Sequence, residues 1–414
     1  MQPGHEVTLL HSGAEFFPAL ERAIDGALES ISIETYIFHD DPSGRRIANA
    51  LARAAQRGVR VRVVVDGFGT GTPQGTVGAV LAAAPLELRV FRPLSRWRVG
   101  RQALRRLHRK LALIDDTMLF IGGINLIDDH IDPVRGVLDS PRLDFAIAVR
   151  GPLVGDAART MRRVWRRSQV SVVSQSRQSA QPMHRPLASQ NPRGDGVPAR
   201  APSQPGMAPA ETRTDVIDRA APRVRAALVE RDNWRNRRTI ERVYLRAMGQ
   251  ARKDIIIACA YFFPGAKFRR ALAEAAARGV RVRLLLQGRI EYRLPHFGTL
   301  ALHEELLRAG VEVIEYQAGF LHAKLALADQ WFTVGSSNID PFSLLLAREA
   351  NVIVRDPALA TALRAYIERA IAEGGKPVRW SHIVTRPWWV RAAALGAAFM
   401  LRVGVALSGR GLRY

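Results

Sequence analysis

Residues His108 to Asp115 combine a histidine, a lysine two places on at Lys110, and an aspartate five places beyond that. Gly122-Gly123-Ile124-Asn125 follows. The chain then repeats the pattern with His322, Lys324, Asp329 and Gly335-Ser336-Ser337-Asn338. One His-x-Lys carries little information; two copies with matched sequels are hard to obtain by chance. An imidazole beside an ammonium, with an amide further on, offers a divalent metal too few ligands and the wrong charge. The set suits a phosphate. Lys110, Lys324, Asn125 and Asn338 can hold non-bridging oxygens and stabilise the charge of a transition state. A neutral histidine can attack phosphorus. A second can protonate the leaving oxygen and then deprotonate the incoming nucleophile. Each copy supplies one histidine, so both are needed, and a two-fold arrangement would set them face to face.

The surrounding elements must position these groups. Leu107 to Ile114 reads as a strand, and alternation puts residues i and i+2 on one face. His108 then points with Lys110, and His322 with Lys324. Asp115 and Asp329 belong to the candidate catalytic set by duplication, but their parity is opposite. They are expected to fix a strand end or turn. A reactive imidazole also needs a carboxylate on its other nitrogen. Asp144 and Glu349, each placed before an apolar strand, are the candidates.

The rest of the chain repeats too. Ile31 to Phe38 reads as a strand, Ser43 can cap the next helix, and Val59 to Val65 is a second, buried strand. Strand, helix, strand is α/β logic with parallel pairing. Residues 255–263 parallel 31–38, and 276–283 parallel 55–62, which marks duplication of a whole domain. The second copy has a shorter loop before its histidine. It also has one residue fewer between Asp329 and Gly335 than the first has between Asp115 and Gly122, a change that could move Asp329 without moving His322. Four segments result: an N-terminal domain over 1–167, a disordered Ser/Gln/Pro/Arg-rich linker over 168–213, a C-terminal domain over 214–373, and a basic, Trp-containing tail over 374–414.

The 414 residues carry 61 Lys+Arg against 38 Asp+Glu, a formal net charge of +23. Such an excess favours polyanions: nucleic acid, anionic membrane or phosphorylated substrates. Residues 96–110, dense in arginine, would lay part of it beside His108. The single cysteine, Cys259, excludes disulfides within the chain and cysteine-based metal sites. No basic n-region with an apolar h-region opens the chain, so no secretory signal is expected. No apolar run reaches transmembrane length.

At these residues the chain resembles the phospholipase D superfamily, whose signature is a duplicated His-x-Lys-x4-Asp. More narrowly it is similar to bacterial cardiolipin synthases of the shorter kind, which lack paired N-terminal transmembrane helices. The supporting stretches are Glu34-Thr35-Tyr36-Ile37-Phe38, Val65-Asp66-Gly67-Phe68-Gly69, Phe120 to Asn125, Ala260 to Gly265 and Thr333 to Asn338, over roughly 8–165 and 215–372. The resemblance implies an α/β fold of two duplicated phospholipase D-like βαβ sandwich domains, related by a pseudo-two-fold axis and sharing one active site. It implies no metal and no cofactor. It implies transfer of a phosphatidyl group, from phosphatidylglycerol or phosphatidylethanolamine to phosphatidylglycerol, through a phosphohistidine. In relatives the first histidine is usually the nucleophile, which would be His108, with His322 as acid and base. The residues alone leave that order open. Arg289 to Leu300 matches the family poorly, so acceptor choice is open as well.

Residues 387–407 pair Trp388 and Trp389 with an apolar run broken by Arg391 and Arg402. Two buried arginines disfavour a span, and an interfacial helix on an anionic bilayer fits better. The expected location is peripheral, on the cytoplasmic face of the bacterial cell membrane. Two other functions use the same histidines: a hydrolytic phospholipase D, and a phosphodiesterase-type nuclease. A lipid-binding protein without catalysis is a third alternative. The tryptophan-rich tail favours lipid over nucleic acid.

Overall fold

Arg60–Asp66 begins by alternating arginine with valine and ends in continuous valine, and it forms a strand buried along its second half. It pairs in parallel with Ser30–Thr35 and Glu87–Phe91. The helix Pro42–Gln56 makes the crossover, burying Ile47, Leu51 and Ala54. Its first turn is capped by the Asp41 carboxylate, which accepts from the Gly44 amide at 2.8 Å, with Pro42 at the first helical position. Ser43, expected as the cap, lies inside the helix and donates instead to Asp128 at 2.8 Å. The computed structural model describes residues 1–93, 105–170, 224–232 and 235–407. The linker expected over 168–213 lies outside them apart from its first three residues, two of which pair with Glu87–Phe91. Most of the arginine-dense loop lies outside them too.

The same unit returns as Asp254–Cys259, helix Ala266–Ala277, Arg281–Gln287 and Glu312–Tyr316. Each parallel set continues into three antiparallel strands. In the first half these are Leu111–Ile114, Met118–Gly122 and Phe145–Arg150. In the second they are Lys324–Ala328, Trp331–Gly335 and Glu349–Arg355. Two further strands close the seam. Gln2–His11 pairs with Phe145–Arg150 on one side and with Val224–Arg231 on the other, and Val224–Arg231 pairs with Glu349–Arg355. Among the described residues the sheet has 16 strands, and their order is mirrored about the seam, as a pseudo-two-fold requires. One apolar cluster crosses it, joining Leu113, Ile147 and Met161 to Leu325, Val352 and Leu363. The halves therefore share an interior, and either alone would expose it to water.

The motif aspartates sit at the hairpins after the His-x-Lys strands. Asp115, at φ +50°, accepts from the amides of Leu28, Glu29 and Ser30 at 2.8 to 2.9 Å. Asp329, at φ +52°, accepts from Arg252, Lys253 and Asp254 at 2.9 to 3.2 Å. Each carboxylate thus ties its hairpin to the start of the neighbouring strand. The shorter second hairpin leaves this clamp in place, so it does not displace Asp329. Both strands nearest the histidines are also shorter than the sequence suggests. Regular pairing begins at Leu111 and Lys324, and the histidines lie in the lead-ins.

The last helix, Trp388–Leu407, buries Ala394, Ala397, Ala398 and Leu401. It packs on the helix Arg293–Leu300, where Gly298 clears the way: a Cβ there would lie 2.5 Å from Leu401 Cδ1. Trp388, Leu395 and Phe399 remain exposed.

Burial alone would raise the Asp115 carboxyl, but its three amide donors outweigh that and hold it below the usual range. Its contribution is therefore present above the unfolded-state pKa and is lost as pH falls through the depressed folded value. Asp115→Ala is expected to cost roughly 2–3 kcal/mol at neutral pH, in the range for hydrogen bonds to a charged group. Urea unfolding should show the difference from wild type shrinking in acid; a pH-independent difference would refute the clamp.

Candidate active site

The lead-in to each histidine crosses to the other half. Leu107 forms a parallel bridge with Arg348, and the His108 amide donates to the Arg348 carbonyl at 3.0 Å. Leu321 bridges Leu143 in the same way, with the His322 amide donating to Leu143 at 2.8 Å. The residue after each bridging partner is a carboxylate. His108 Nδ1 consequently donates to Glu349 at 2.9 Å, and His322 Nδ1 to Asp144 at 2.7 Å. Both predicted carboxylates hydrogen-bond a histidine, in each case that of the opposite half. With Nδ1–H committed, each Nε2 presents a lone pair.

His108, His322, Asn125 and Asp144 line one cavity of about 460 Å³. Lys110 and Lys324 are buried, and each ammonium donates to the carbonyl of its own histidine. Burial pulls Lys110 down to about 7, against the attraction of Glu349, and lowers Lys324 as well. Burial also lowers both histidines, His322 the further because Lys324 and Lys110 repel its proton. Asn125 Oδ1 accepts from the Ile37 amide at 3.2 Å. Asn338 is buried at the equivalent place, and its Oδ1 has no partner among the described residues. Asp115 and Asp329 stand outside this cluster, on the amides already given.

The two-fold is broken beside the carboxylates. Gly123 lies against Asp144, and a Cβ there would sit 2.2 Å from Asp144 Oδ1. Its counterpart Ser336 donates its hydroxyl to Glu349 Oε2. Burial raises both carboxyls, but His108, Lys110 and Ser336 bring Glu349 below the usual range. Asp144 is opposed mainly by Lys324 and stays raised, at about 7. One histidine therefore faces a firmly ionised carboxylate, the other a carboxyl that titrates near neutrality.

Other lining groups carry no motif. Arg142 pairs with Asp132 at 2.8 Å, and Tyr261 donates to Glu291 at 2.6 Å. Glu291 and Tyr292 come from the stretch that matched the family poorly, and only that mismatch marked it. Arg109, the middle residue of His-x-Lys, is buried and pairs with Glu34 at 2.6 Å behind the site.

A family model described as "Cardiolipin synthase, PLD-like domain" matches residues 20–134 and 244–371. The chain is 35% identical to cardiolipin synthase B of Escherichia coli K12 over 98% of this chain and 90% of that one. The chain belongs to the phospholipase D-like cardiolipin synthase family. A cardiolipin synthase of Halalkalibacterium halodurans is 27% identical over 92% of this chain and 69% of its own. A crystal structure of phosphatidylserine synthase from Haemophilus influenzae aligns at TM-score 0.62 and 13% identity, over 98% and 95% of the two chains, a likeness of fold. The family signature thus coincides with the crossed pairs, and those pairs can be tested separately from the histidines. Glu349→Gln keeps the shape but removes the charge that selects the His108 tautomer. Turnover of a phosphodiester should fall about 10³- to 10⁴-fold, as for loss of a comparable orienting carboxylate, with melting temperature little changed. Near-normal turnover would show that the pair is only structural.

Proposed function

We propose that this protein is a cardiolipin synthase-type phosphatidyltransferase. Phosphatidylglycerol or phosphatidylethanolamine is the donor and phosphatidylglycerol the acceptor. The observation that carries the reading is the crossed pairing, which leaves two histidines with free Nε2 atoms on one cavity, each with a buried lysine on its own carbonyl. His108 Nε2 attacks phosphorus, and the bond from phosphorus to the headgroup oxygen breaks. His322, protonated, gives its proton to the departing glycerol or ethanolamine oxygen. The acceptor hydroxyl then gives a proton to His322 and attacks phosphorus; the P–N bond breaks and His108 regains its lone pair. Two displacements retain configuration at phosphorus. The ionised Glu349 favours His108 as the nucleophile, because it stabilises the cationic phosphohistidine. A phosphodiester anion between the lysines offsets the repulsion that depresses His322, so that His322 can carry its proton. Lys110, Lys324, Asn125 and Asn338 hold the non-bridging oxygens.

The protein acts at the cytoplasmic face of the cell membrane, attached peripherally through the last helix. No described helix is long and apolar enough to cross a bilayer. Trp388, Leu395 and Phe399 are exposed on it, and Phe68 and Phe342 are exposed beside the site. The net charge of +23 suits an anionic surface.

Purified protein given labelled phosphatidylglycerol in vesicles with EDTA should release glycerol and form cardiolipin. Phosphatidic acid as the sole product would assign hydrolysis instead. His108→Ala and His322→Ala should each abolish transfer. The pH profile of kcat/KM should be a bell. Its acid limb comes from protonation of His108, below the ordinary histidine range. Its alkaline limb combines loss of the His322 proton with loss of the Lys110 charge, the latter near 7. Lys110→Arg keeps the charge and should move the alkaline limb upward; an unmoved limb would exclude Lys110 as its source. A Leu395→Ser/Phe399→Ser variant should bind anionic vesicles at least about tenfold more weakly, since each side chain buries ~1.5–3 kcal/mol of apolar surface. Unchanged co-sedimentation would refute attachment through this helix.

A further inference from the structure

The space around the histidines has two lobes that differ in their polar groups. The lobe of about 460 Å³ is the more polar, with Asp129, Asp132, Arg142, Asp144, Glu291 and His322 set among apolar residues. The other, about 300 Å³, is apolar, walled by Phe68, Phe263, Pro295, Pro341, Phe342 and Leu401. Tyr36 and His108 line both, whereas His322 lines only the polar one. Each lies in the lower part of the range for small-ligand sites, about 300–1,000 Å³, so neither accommodates a whole phospholipid.

We infer that the last helix forms the wall of an acyl-chain site: Leu401, Phe342 and Phe263 hold a chain of the phosphatidyl group bound at His108, and the polar lobe beside His322 takes the headgroup alcohol. This rests on the phosphatidyltransferase reading. That reaction breaks the bond between phosphorus and the headgroup, so the diacylglycerol part stays with the nucleophile. His108 is the histidine that meets the apolar lobe. The alcohol that departs, and the one that arrives, must exchange a proton with His322, which lies in the polar lobe. There the carboxyl groups and Arg142 complement hydroxyls, which the apolar walls do not.

Leu401 ties this site to the bilayer. It is buried at 5% exposure against Gly298 and Phe263, while Phe399, two residues earlier on the same helix, is 66% exposed. One face of the helix therefore meets the chain inside the protein and the adjoining face meets the membrane. Phe342 and Phe68, 50% and 64% exposed, form an apolar rim between them. A chain drawn from the bilayer along this helix stays in apolar contact until its phosphate reaches His108.

The test uses the full-length protein with two substrates: dioleoyl phosphatidylglycerol in mixed micelles, and bis(4-nitrophenyl) phosphate, a phosphodiester without an acyl chain. Leu401→Trp fills the apolar lobe. Phe342→Ala opens its rim at a half-exposed residue whose backbone bonds are kept, which covers the case in which Leu401→Trp fails to fold. For each variant the ratio of lipid kcat/KM to chromogenic kcat/KM should fall about tenfold, the scale of discrimination by one or two apolar groups in a pocket. A ratio equal to that of wild type in Phe342→Ala, and in Leu401→Trp where it folds, would overturn the acyl site while leaving the transferase reading standing. A wild-type protein that cleaves the chromogenic diester but no phosphatidyl lipid would overturn both.

Discussion

The crossed bonds from His108 to Glu349 and from His322 to Asp144 are the constraint on which the rest of the architecture depends. A histidine and its orienting carboxylate must lie within about 3 Å, and here they are contributed by opposite halves. That is possible only if the halves are locked in register. The seam strands Gln2–His11 and Val224–Arg231 supply the lock, and the apolar cluster that spans them keeps it from sliding. The parallel bridges at Leu107 and Leu321 carry the register to the catalytic edge. Fold and chemistry are thus two consequences of one alignment.

Much of this was legible because duplication filters noise. His108, Lys110 and Asn125 gain weight from His322, Lys324 and Asn338, and the parity of Asp115 already points to a hairpin. Which carboxylate serves which histidine was not legible. Pairing across the seam depends on tertiary register, and sequence separation carries no trace of it. The seam strands were missed for a related reason: Gln2–His11 opens with Pro3 and Gly4 and mixes buried with half-exposed positions, so it shows no clean alternation. The lead-ins were read as strand because Leu107 and Leu321 are apolar, yet their hydrogen bonds go to the other half. The Ser43 cap was a competition between two eligible side chains two positions apart, settled by where Asp41 can reach.

The polar lobe shows the limit of motif reading. Arg142 and Asp132 share one connection, Glu291 comes from another, and of the four only Tyr261 falls in a repeated stretch. Their grouping is a property of the closed fold, and the poor family match near Arg289 was its only trace in the chain.

The difference between Gly123 and Ser336 has a consequence of its own. Two identical subunits meeting on a symmetry axis must carry the same residue at both places, so their two histidines would have equal partners. Joining the copies in one chain removes that obligation. A substitution in one copy then alters one histidine and spares the other, and a nucleophile and a proton carrier can diverge from a common ancestor by single steps. The hydroxyl at Ser336, which has no counterpart at Gly123, is a difference of this kind between the two copies.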